Sequence, residues 1–152
     1  MYLSRTRAII VATSNNPTGS VLHRGELEAL VTLARNHNLA IIADEVFNDY
    51  LWRTGTREVG SVAAVDQCLT FTLNGLSKIT ALPQIKLAWI VANGPPDLLA
   101  EALVRLEVIA DTYLSVSTPV QLAAPKLLAT RDNVHVKVRD ILACNDTVVL
   151  NQ

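Results

Sequence analysis

Short, continuous apolar runs separated by a helical pattern constrain the fold of this chain most strongly. The four runs are residues 8–12, 39–43, 68–73 and 87–92, of which the third also contains Thr70 and Thr72. Apolar runs without polar alternation are typical of strands that are covered on both faces. Between the first two runs, Leu27, Leu30 and Val31 recur at helical spacing, which predicts an amphipathic helix. The pattern therefore predicts an α/β fold with a mainly parallel sheet flanked by helices.

The later part of the chain adds one reversal of direction and several helices. Residues 74–86 are too few to form a helix that crosses back over the sheet, which a parallel fourth strand would require. We therefore predict that the fourth strand runs antiparallel to the third. Residues 134–138 alternate in a way that fits a strand, but the flanking pattern favours a helix, which we predict. A further helix is expected after Pro95-Pro96, and its predicted core face is Leu99, Leu103, Leu106 and Ala110.

Composition excludes several classes of protein. The 152 residues suit one ordinary domain, and 13 basic against 14 acidic residues argue against nucleic-acid binding. The longest apolar run, residues 87–92, is far too short to span a membrane. Cys68 and Cys144 show neither metal-site spacing nor a disulfide framework, so we expect no metal. With no apolar leader in residues 1–7, the expected location is the cytoplasm.

Three polar residues follow three of the predicted strands. Asn16 comes after the first strand, Asp44 ends the second, and Lys78 follows the third. In open α/β sheets, ligands bind at the carboxyl ends of the strands, so these side chains are expected to converge on one pocket. Each residue alone has a more ordinary explanation, since an aspartate here is often a helix cap and a loop lysine is usually a solvated charge. Their order and number favour the shared pocket.

Four motifs narrow the interpretation further. They are Asn16-Pro17-Thr18-Gly19, Asp44-Glu45-Val46-Phe47, Ser77-Lys78 and Lys86-Leu87-Ala88-Trp89. In residue type and separation they resemble the class I and II aminotransferases, which are fold-type I enzymes dependent on pyridoxal 5'-phosphate. The resemblance extends from about residue 8 to about residue 142, and it implies part of the large domain of that fold, truncated at both ends.

The resemblance implies a role for each strand-end residue. Lys78 would form a Schiff base with the cofactor aldehyde, which requires its neutral amine, and would later move the substrate's α-proton. Asp44 would pair with the pyridine nitrogen and keep it protonated, so that the ring withdraws electrons. Asn16 would donate to the phenolate oxygen of the ring.

The same resemblance extends to the phosphate and marks several departures. Ser77 and Lys86 would lie near the phosphate, although Lys86 stands where the family usually has an arginine. Phe47 stands at a cofactor-binding position that is often a tyrosine, so one hydrogen bond of about 1.5–3 kcal/mol is absent. Some family members also have phenylalanine there. Gly75 stands where a serine or threonine that binds the phosphate is common.

The family enzymes are more than twice as long as this chain. The resemblance implies that residues 1–115 are part of the cofactor-binding large domain and that residues 116–152 are a connecting helix towards a small domain outside the chain. A phosphate loop upstream and a substrate-binding arginine downstream would also lie outside, and neither Arg131 nor Arg139 falls in that arginine's motif. We therefore expect an exposed strand edge, an exposed apolar face and little independent activity.

The implied reaction transfers an amino group from an amino acid to a 2-oxo acid, in an enzyme that is typically a homodimer. Two alternatives remain open at this stage. A carbon–sulfur β-lyase can use the same scaffold and cofactor. A non-catalytic, ligand-binding aminotransferase-like module, as found in some transcription regulators, is the other.

The remaining polar and aromatic residues have more ordinary interpretations. His23, His37 and His135 lack metal-ligand spacing and are expected at the surface or in caps. Cys68 is predicted to pack in the core, and a packing or surface role is favoured for Tyr50 over a place in the pocket. Glu45 is adjacent to Asp44 and is expected to point to the opposite face.

Overall fold

The computed structural model describes residues 5–50, 60–113 and 115–150, with side chains to residue 145. The strands are β1 (Ala8–Ala12), β2 (Ala40–Asp44), β3 (Thr70–Gly75) and β4 (Ala88–Asn93). The α-helices are α1 (Arg24–His37), α2 (Leu76–Ile79), α3 (Pro96–Thr112), α4 (Thr118–Leu128) and α5 (Arg131–Leu150). Short 3₁₀ helices span Asn48–Tyr50, Val62–Ala64 and Pro83–Ile85.

The four strands form one sheet in the order β1-β2-β3-β4. β1 pairs with β2 and β2 with β3 in parallel, whereas β3 pairs with β4 antiparallel. Only the four-residue α2 and one 3₁₀ helix lie between β3 and β4. The predicted mainly parallel α/β sheet with one antiparallel strand is thus confirmed.

Helix α1 covers one face of the sheet and has defined ends. The Glu26 carboxylate accepts a 2.8 Å hydrogen bond from the backbone N–H of His23, which satisfies a donor at the helix start. Asn38 ends the helix in the left-handed conformation, at φ 52°, a geometry that asparagine tolerates. Val31 and Ala34 on its inner face are buried. The predicted amphipathic helix is confirmed.

The hydrophobic core lies between α1, β2 and the segment that precedes β3. Its buried members are Val31, Ala34, Leu39, Ile41, Ala43, Val62, Val65 and Cys68. Full burial of a side chain such as Ile41 contributes about 1.5–3 kcal/mol. The prediction that Cys68 packs in the core is confirmed.

Helix α3 packs on the other face of the sheet, but not with the predicted stripe. Ala102 is its buried residue, whereas Leu103 is 50% exposed and Ala110 is also exposed. Leu98 and Ile109 line the groove between α3 and the sheet. The predicted core face was wrong in part because α3 is apolar on several sides, so that spacing alone does not identify the face that meets the sheet.

The first strand is paired on one side within the described residues and is less covered than its sequence suggests. Ile10 is 74% exposed, although its apolar run predicted a buried strand. Ile90 and Val91 of β4 and Val104 and Val108 of α3 are exposed as well. The expected strand edge and exposed apolar surface are therefore present.

The segment predicted as a connecting helix contains two helices. α4 ends at Leu128 and α5 begins at Arg131, so a short break lies between them. Residues 134–138 lie within α5, which confirms helix over strand there. No described helix is both long and apolar enough to cross a membrane.

Gly75 lies where β3 and β4 approach too closely for a side chain. A Cβ at this position would lie 2.9 Å from the carbonyl oxygen of Leu87 and 3.1 Å from the Cα of Ala88. Both atoms belong to backbone, which cannot rotate away as a side chain can. We expect Gly75→Ala to lower the free energy of unfolding by about 1–3 kcal/mol, as overpacking does.

Urea denaturation followed by circular dichroism would measure this effect. Gly25→Ala is the matched control, because a Cβ on Gly25 in α1 would meet no atom within 4 Å. The control should raise stability by up to about 1 kcal/mol. Equal effects of the two substitutions would show that the contact with Leu87 does not restrict position 75.

Candidate functional site

The carboxyl ends of the three parallel strands lie side by side. Ala12 pairs with Asp44 across β1 and β2, and Asp44 pairs with Leu73 across β2 and β3. Because the strands are parallel, the segments that follow them all leave from the same edge of the sheet. This edge carries the residues that the sequence singled out.

Hydrogen bonds continue beyond the strands and tie these segments together. Thr13 donates its backbone N–H to the carbonyl of Asp44 at 2.9 Å, and Glu45 donates its N–H to the carbonyl of Leu73 at 3.1 Å. The Asn74 amide Nδ2 donates to the Glu45 carbonyl at 3.3 Å. The first residue after β1 is therefore held to the end of β2, and the first residue after β2 is held to β3.

Lys78 and Phe47 meet at this edge. Half-buried Lys78 lies in α2, directly after β3, and its Nζ is 5.2 Å from the centroid of the Phe47 ring. An amine at this distance from an aromatic face gains about 0.5–1 kcal/mol when it is charged. The Ser14 hydroxyl donates to the Phe47 carbonyl at 3.1 Å, which joins the loop after β1 to the same cluster.

Tyr50 contacts the backbone of the same lysine. Its hydroxyl donates a 2.6 Å hydrogen bond to the carbonyl oxygen of Lys78, and its ring meets Phe47 edge-to-face at 6.0 Å between centroids. Burial, and secondarily the charge of Asp49, raise the pKa of the phenol, so Tyr50 remains a donor at neutral pH. The favoured packing role is correct, and the hydrogen bond to Lys78 is an addition to it.

Asp44 and Asn16 lie on the same edge in different surroundings. Asp44 is half-buried, and its Oδ1 accepts a 3.2 Å hydrogen bond from the N–H of Val46. Asn16 is exposed in the turn after β1, which Gly19 closes at φ 68°. Among the described residues, no hydrogen bond joins the Asn16 side chain to Asp44 or Lys78.

Ser77 and Lys86 are both exposed and flank one backbone contact. The N–H of Leu76 donates to the carbonyl of Leu87 at 3.0 Å, which holds the start of α2 against the segment before β4. Ser77 follows Leu76, and Lys86 precedes Leu87, with a left-handed backbone at φ 56°. This contact brings the backbone of the Lys86 segment next to the start of α2, the helix that contains Ser77 and Lys78.

Glu45 belongs to a different environment from Asp44. It is 4% exposed, and its carboxylate accepts from the Ser61 hydroxyl at 2.8 Å and from the Val62 N–H at 2.6 Å. Burial raises the pKa of Glu45 more strongly than these two donors lower it. The two adjacent carboxylates therefore serve separate purposes, and Glu45 anchors the segment that precedes β3.

The raised pKa of Glu45 has a definite consequence for stability. Below the unfolded-state value of 4.5, Glu45 is protonated in both states; above the folded-state pKa it is ionised in both, and burial then disfavours the folded state. The free energy of unfolding, measured relative to Glu45→Gln, should therefore fall as pH rises through this window. Urea denaturation from about pH 4 to about pH 7 would test this, and a constant difference between the proteins would contradict it.

Asp49, Arg131 and His135 form a polar cluster that the sequence did not reveal. Arg131 donates two hydrogen bonds to the Asp49 carboxylate, at 3.0 Å and 2.6 Å. His135 is buried, with its Nε2 3.1 Å from the carbonyl oxygen of Ile79 and 3.6 Å from Asp49 Oδ2. The prediction of a surface or cap position for His135 was therefore wrong, because α5 packs this residue against α2.

No sequence signal could have identified this cluster. Asp49 and Arg131 are separated by 82 residues, and neither lies in a motif. Within the described ranges, no group of three or more His, Cys, Asp or Glu side chains is arranged to hold a metal ion.

Comparisons with known proteins agree with the motifs. A family model for aminotransferases of class I and II matches residues 2–148. A glutamate–pyruvate aminotransferase of Escherichia coli is 37% identical over 117 residues, which make up 77% of this chain and 29% of that protein. An alanine aminotransferase of Mycobacterium bovis is 31% identical, over 86% of this chain and 30% of its own.

The fold comparison gives the same result. The solved structure of an alanine aminotransferase from Pyrococcus furiosus superposes with a TM-score of 0.80 at 25% identity, covering 97% of this chain and 37% of that one. The chain therefore spans about a third of the length of these relatives.

Proposed function

Because the chain belongs to the class I and II aminotransferase family, we propose that it is part of an enzyme that uses pyridoxal 5'-phosphate to transfer an amino group from an amino acid to a 2-oxo acid. The observation that carries this proposal is the amine of Lys78 at the edge of the sheet where β2 ends in Asp44. In this proposal residues 1–115 are part of the cofactor-binding domain, and residues 116–152 lead towards a second, smaller domain.

The donor set fits this cofactor chemically. A primary amine, Lys78, suits an aldehyde, and the Asp44 carboxylate suits a protonated ring nitrogen. Asp44 Oδ1 accepts one backbone N–H, and the carboxylate retains acceptor sites for this pairing. The Ser77 hydroxyl and the Lys86 ammonium are groups that bind phosphate.

The remaining expected positions contribute in other ways. The amide of Asn16 is a donor suited to a phenolate oxygen. Phe47 has no hydroxyl to donate; it offers its ring to Lys78 and, through its carbonyl, fixes the loop after β1. Asn16 would thus be the donor to that oxygen from among the motif residues.

In the proposed reaction the cofactor and the protein side chains have different roles. Pyridoxal phosphate, when bound, supplies an aldehyde that condenses with an amine and a ring that withdraws electrons from the substrate's α-carbon. Lys78 would bind the aldehyde through Nζ with loss of water. Once the amino group of the substrate has displaced it, the free Lys78 amine would take a proton from the substrate's α-carbon. Asp44 would keep a proton on the ring nitrogen.

We also propose a partner and a location. The homodimeric assembly of the whole enzyme is proposed from the family resemblance, and the exposed apolar side chains of β1, β4 and α3, among them Ile10 and Val108, are surfaces that another chain or further residues of the same protein would cover. A cytoplasmic location is consistent with two free cysteines, Cys68 and Cys144.

Covalent capture of the cofactor tests the proposal. Pyridoxal phosphate is added to the purified chain, the adduct is reduced with borohydride, and peptide mass spectrometry locates it. We expect one pyridoxyl group on Lys78, because this half-buried residue has its amine beside Phe47 at the strand ends, whereas Lys86 is exposed. Adducts spread over the lysines, or none at all, would contradict the proposal.

Matched variants separate specific capture from general lysine reactivity. Lys78→Ala should abolish the adduct, whereas Lys126→Ala, at an exposed position in α4, should leave it unchanged. Asp44→Asn removes the negative charge but retains the size of the side chain. It should weaken cofactor binding by roughly 10- to 100-fold, the value of a hydrogen bond to a charged group.

A further inference from the structure

The short helix that contains Lys78 depends on contacts from outside itself. α2 has four residues, far fewer than a helix needs to be stable alone. The carbonyl of Lys78 accepts hydrogen bonds from the Tyr50 hydroxyl at 2.6 Å and from the Ala81 N–H at 3.2 Å. The next carbonyl, that of Ile79, lies 3.1 Å from Nε2 of His135. Two side chains from distant segments therefore hold the end of this helix.

The segments that carry these two side chains are joined by an ion pair between Asp49 and Arg131. Asp49 directly precedes Tyr50 and receives two hydrogen bonds from Arg131, and His135 Nε2 lies 3.6 Å from its Oδ2. Arg131 and His135 are four residues apart on α5 and so lie on one face of it. The Tyr50 and His135 rings are 6.1 Å apart between centroids. We call Asp49, Tyr50, Arg131 and His135 the α2 clasp.

The clasp is more than a solvated surface pair. The side chains of Asp49 and His135 are only 17% and 8% exposed. Two parallel hydrogen bonds from one guanidinium define the direction of the carboxylate as well as its distance. Asp49, bound to Arg131, in turn raises the pKa of that guanidinium. These features fix the turn Asn48–Tyr50 against α5, and Tyr50 then fixes the backbone of Lys78.

We propose that the α2 clasp positions Lys78, with α5 holding Tyr50 so that the Lys78 amine stays beside the Phe47 ring and the strand ends. This inference rests on the proposed function, in which Lys78 is the residue that binds the cofactor aldehyde. Reactions of this kind depend strongly on placement, and a misplacement of 1 Å can reduce a rate about 100-fold. In this proposal the clasp residues act on the reaction by holding Lys78 in place, and they do not touch the reacting atoms themselves.

Tyr50→Phe is the most direct test, because it removes one hydroxyl and leaves the ring. The rate constant for capture of pyridoxal phosphate at Lys78, measured by borohydride trapping, should fall roughly tenfold, the equivalent of one ordinary hydrogen bond. Amide hydrogen exchange of residues 76–82 should become faster in the same variant. Tyr113→Phe is the matched control, since Tyr113 is 74% exposed, and it should change neither value.

Arg131→Gln tests the other end of the clasp. It should slow capture in the same direction, and the double variant with Tyr50→Phe should be slowed by less than the product of the two single effects, because both act through one chain of contacts. Independent, multiplicative effects would contradict the clasp.

The outcomes separate this inference from the proposed function. Faster exchange with unchanged capture would make the Tyr50 contact merely structural and overturn the positioning role. Unchanged exchange would overturn it too. No capture at Lys78 by the unaltered chain would overturn the proposed function and the positioning role together, whereas equal capture by the unaltered chain and Tyr50→Phe would overturn the positioning role alone.

Discussion

The parallel register of the first three strands determines where the candidate site lies. Ala12, Asp44 and Leu73 stand in one row across the sheet, so that the segments after β1 and β2 leave its edge at the same level, while β3 continues to Gly75. Backbone hydrogen bonds from Thr13 and Glu45 carry this alignment one residue further. A slip of one residue would turn the Asp44 side chain to the opposite face. The core that α1 forms with β2 thus fixes the position of the carboxylate as well as the fold.

Lys78 is supported differently from Asp44. Asp44 ends a regular strand, whereas Lys78 lies in a helix of four residues whose order comes from its neighbours. The hydrogen bond from the Leu76 N–H to the Leu87 carbonyl holds the start of α2, and Tyr50 and His135 contact its last carbonyls. Glycine at position 75 fits the lack of space for a Cβ beside Leu87 and Ala88.

The β–α–β pattern, the reversal at β4 and the strand-end residues could all be predicted, because each depends on local periodicity or on a motif. The face of α3 that packs on the sheet could not be predicted, since Leu98, Leu103 and Ile109 are equally apolar and their burial depends on how the helix meets the sheet. The ion pair between Asp49 and Arg131 could not be predicted either, because no local sequence pattern connects residues that are 82 positions apart. The buried position of His135 depends on the same packing of α5. What the motifs imply for Asn16, Ser77 and Lys86 is compatible with their places at the sheet edge, and their roles remain predictions.

In the proposed site, the strand ends bring Lys78 and Asp44 to the same cofactor ring. A crystal structure of the chain after treatment with pyridoxal phosphate and borohydride tests this most directly. We expect electron density continuous with Lys78 Nζ and a ring nitrogen within hydrogen-bond distance of the Asp44 carboxylate. A cofactor bound to another lysine, or a ring whose nitrogen lies away from Asp44, would contradict it.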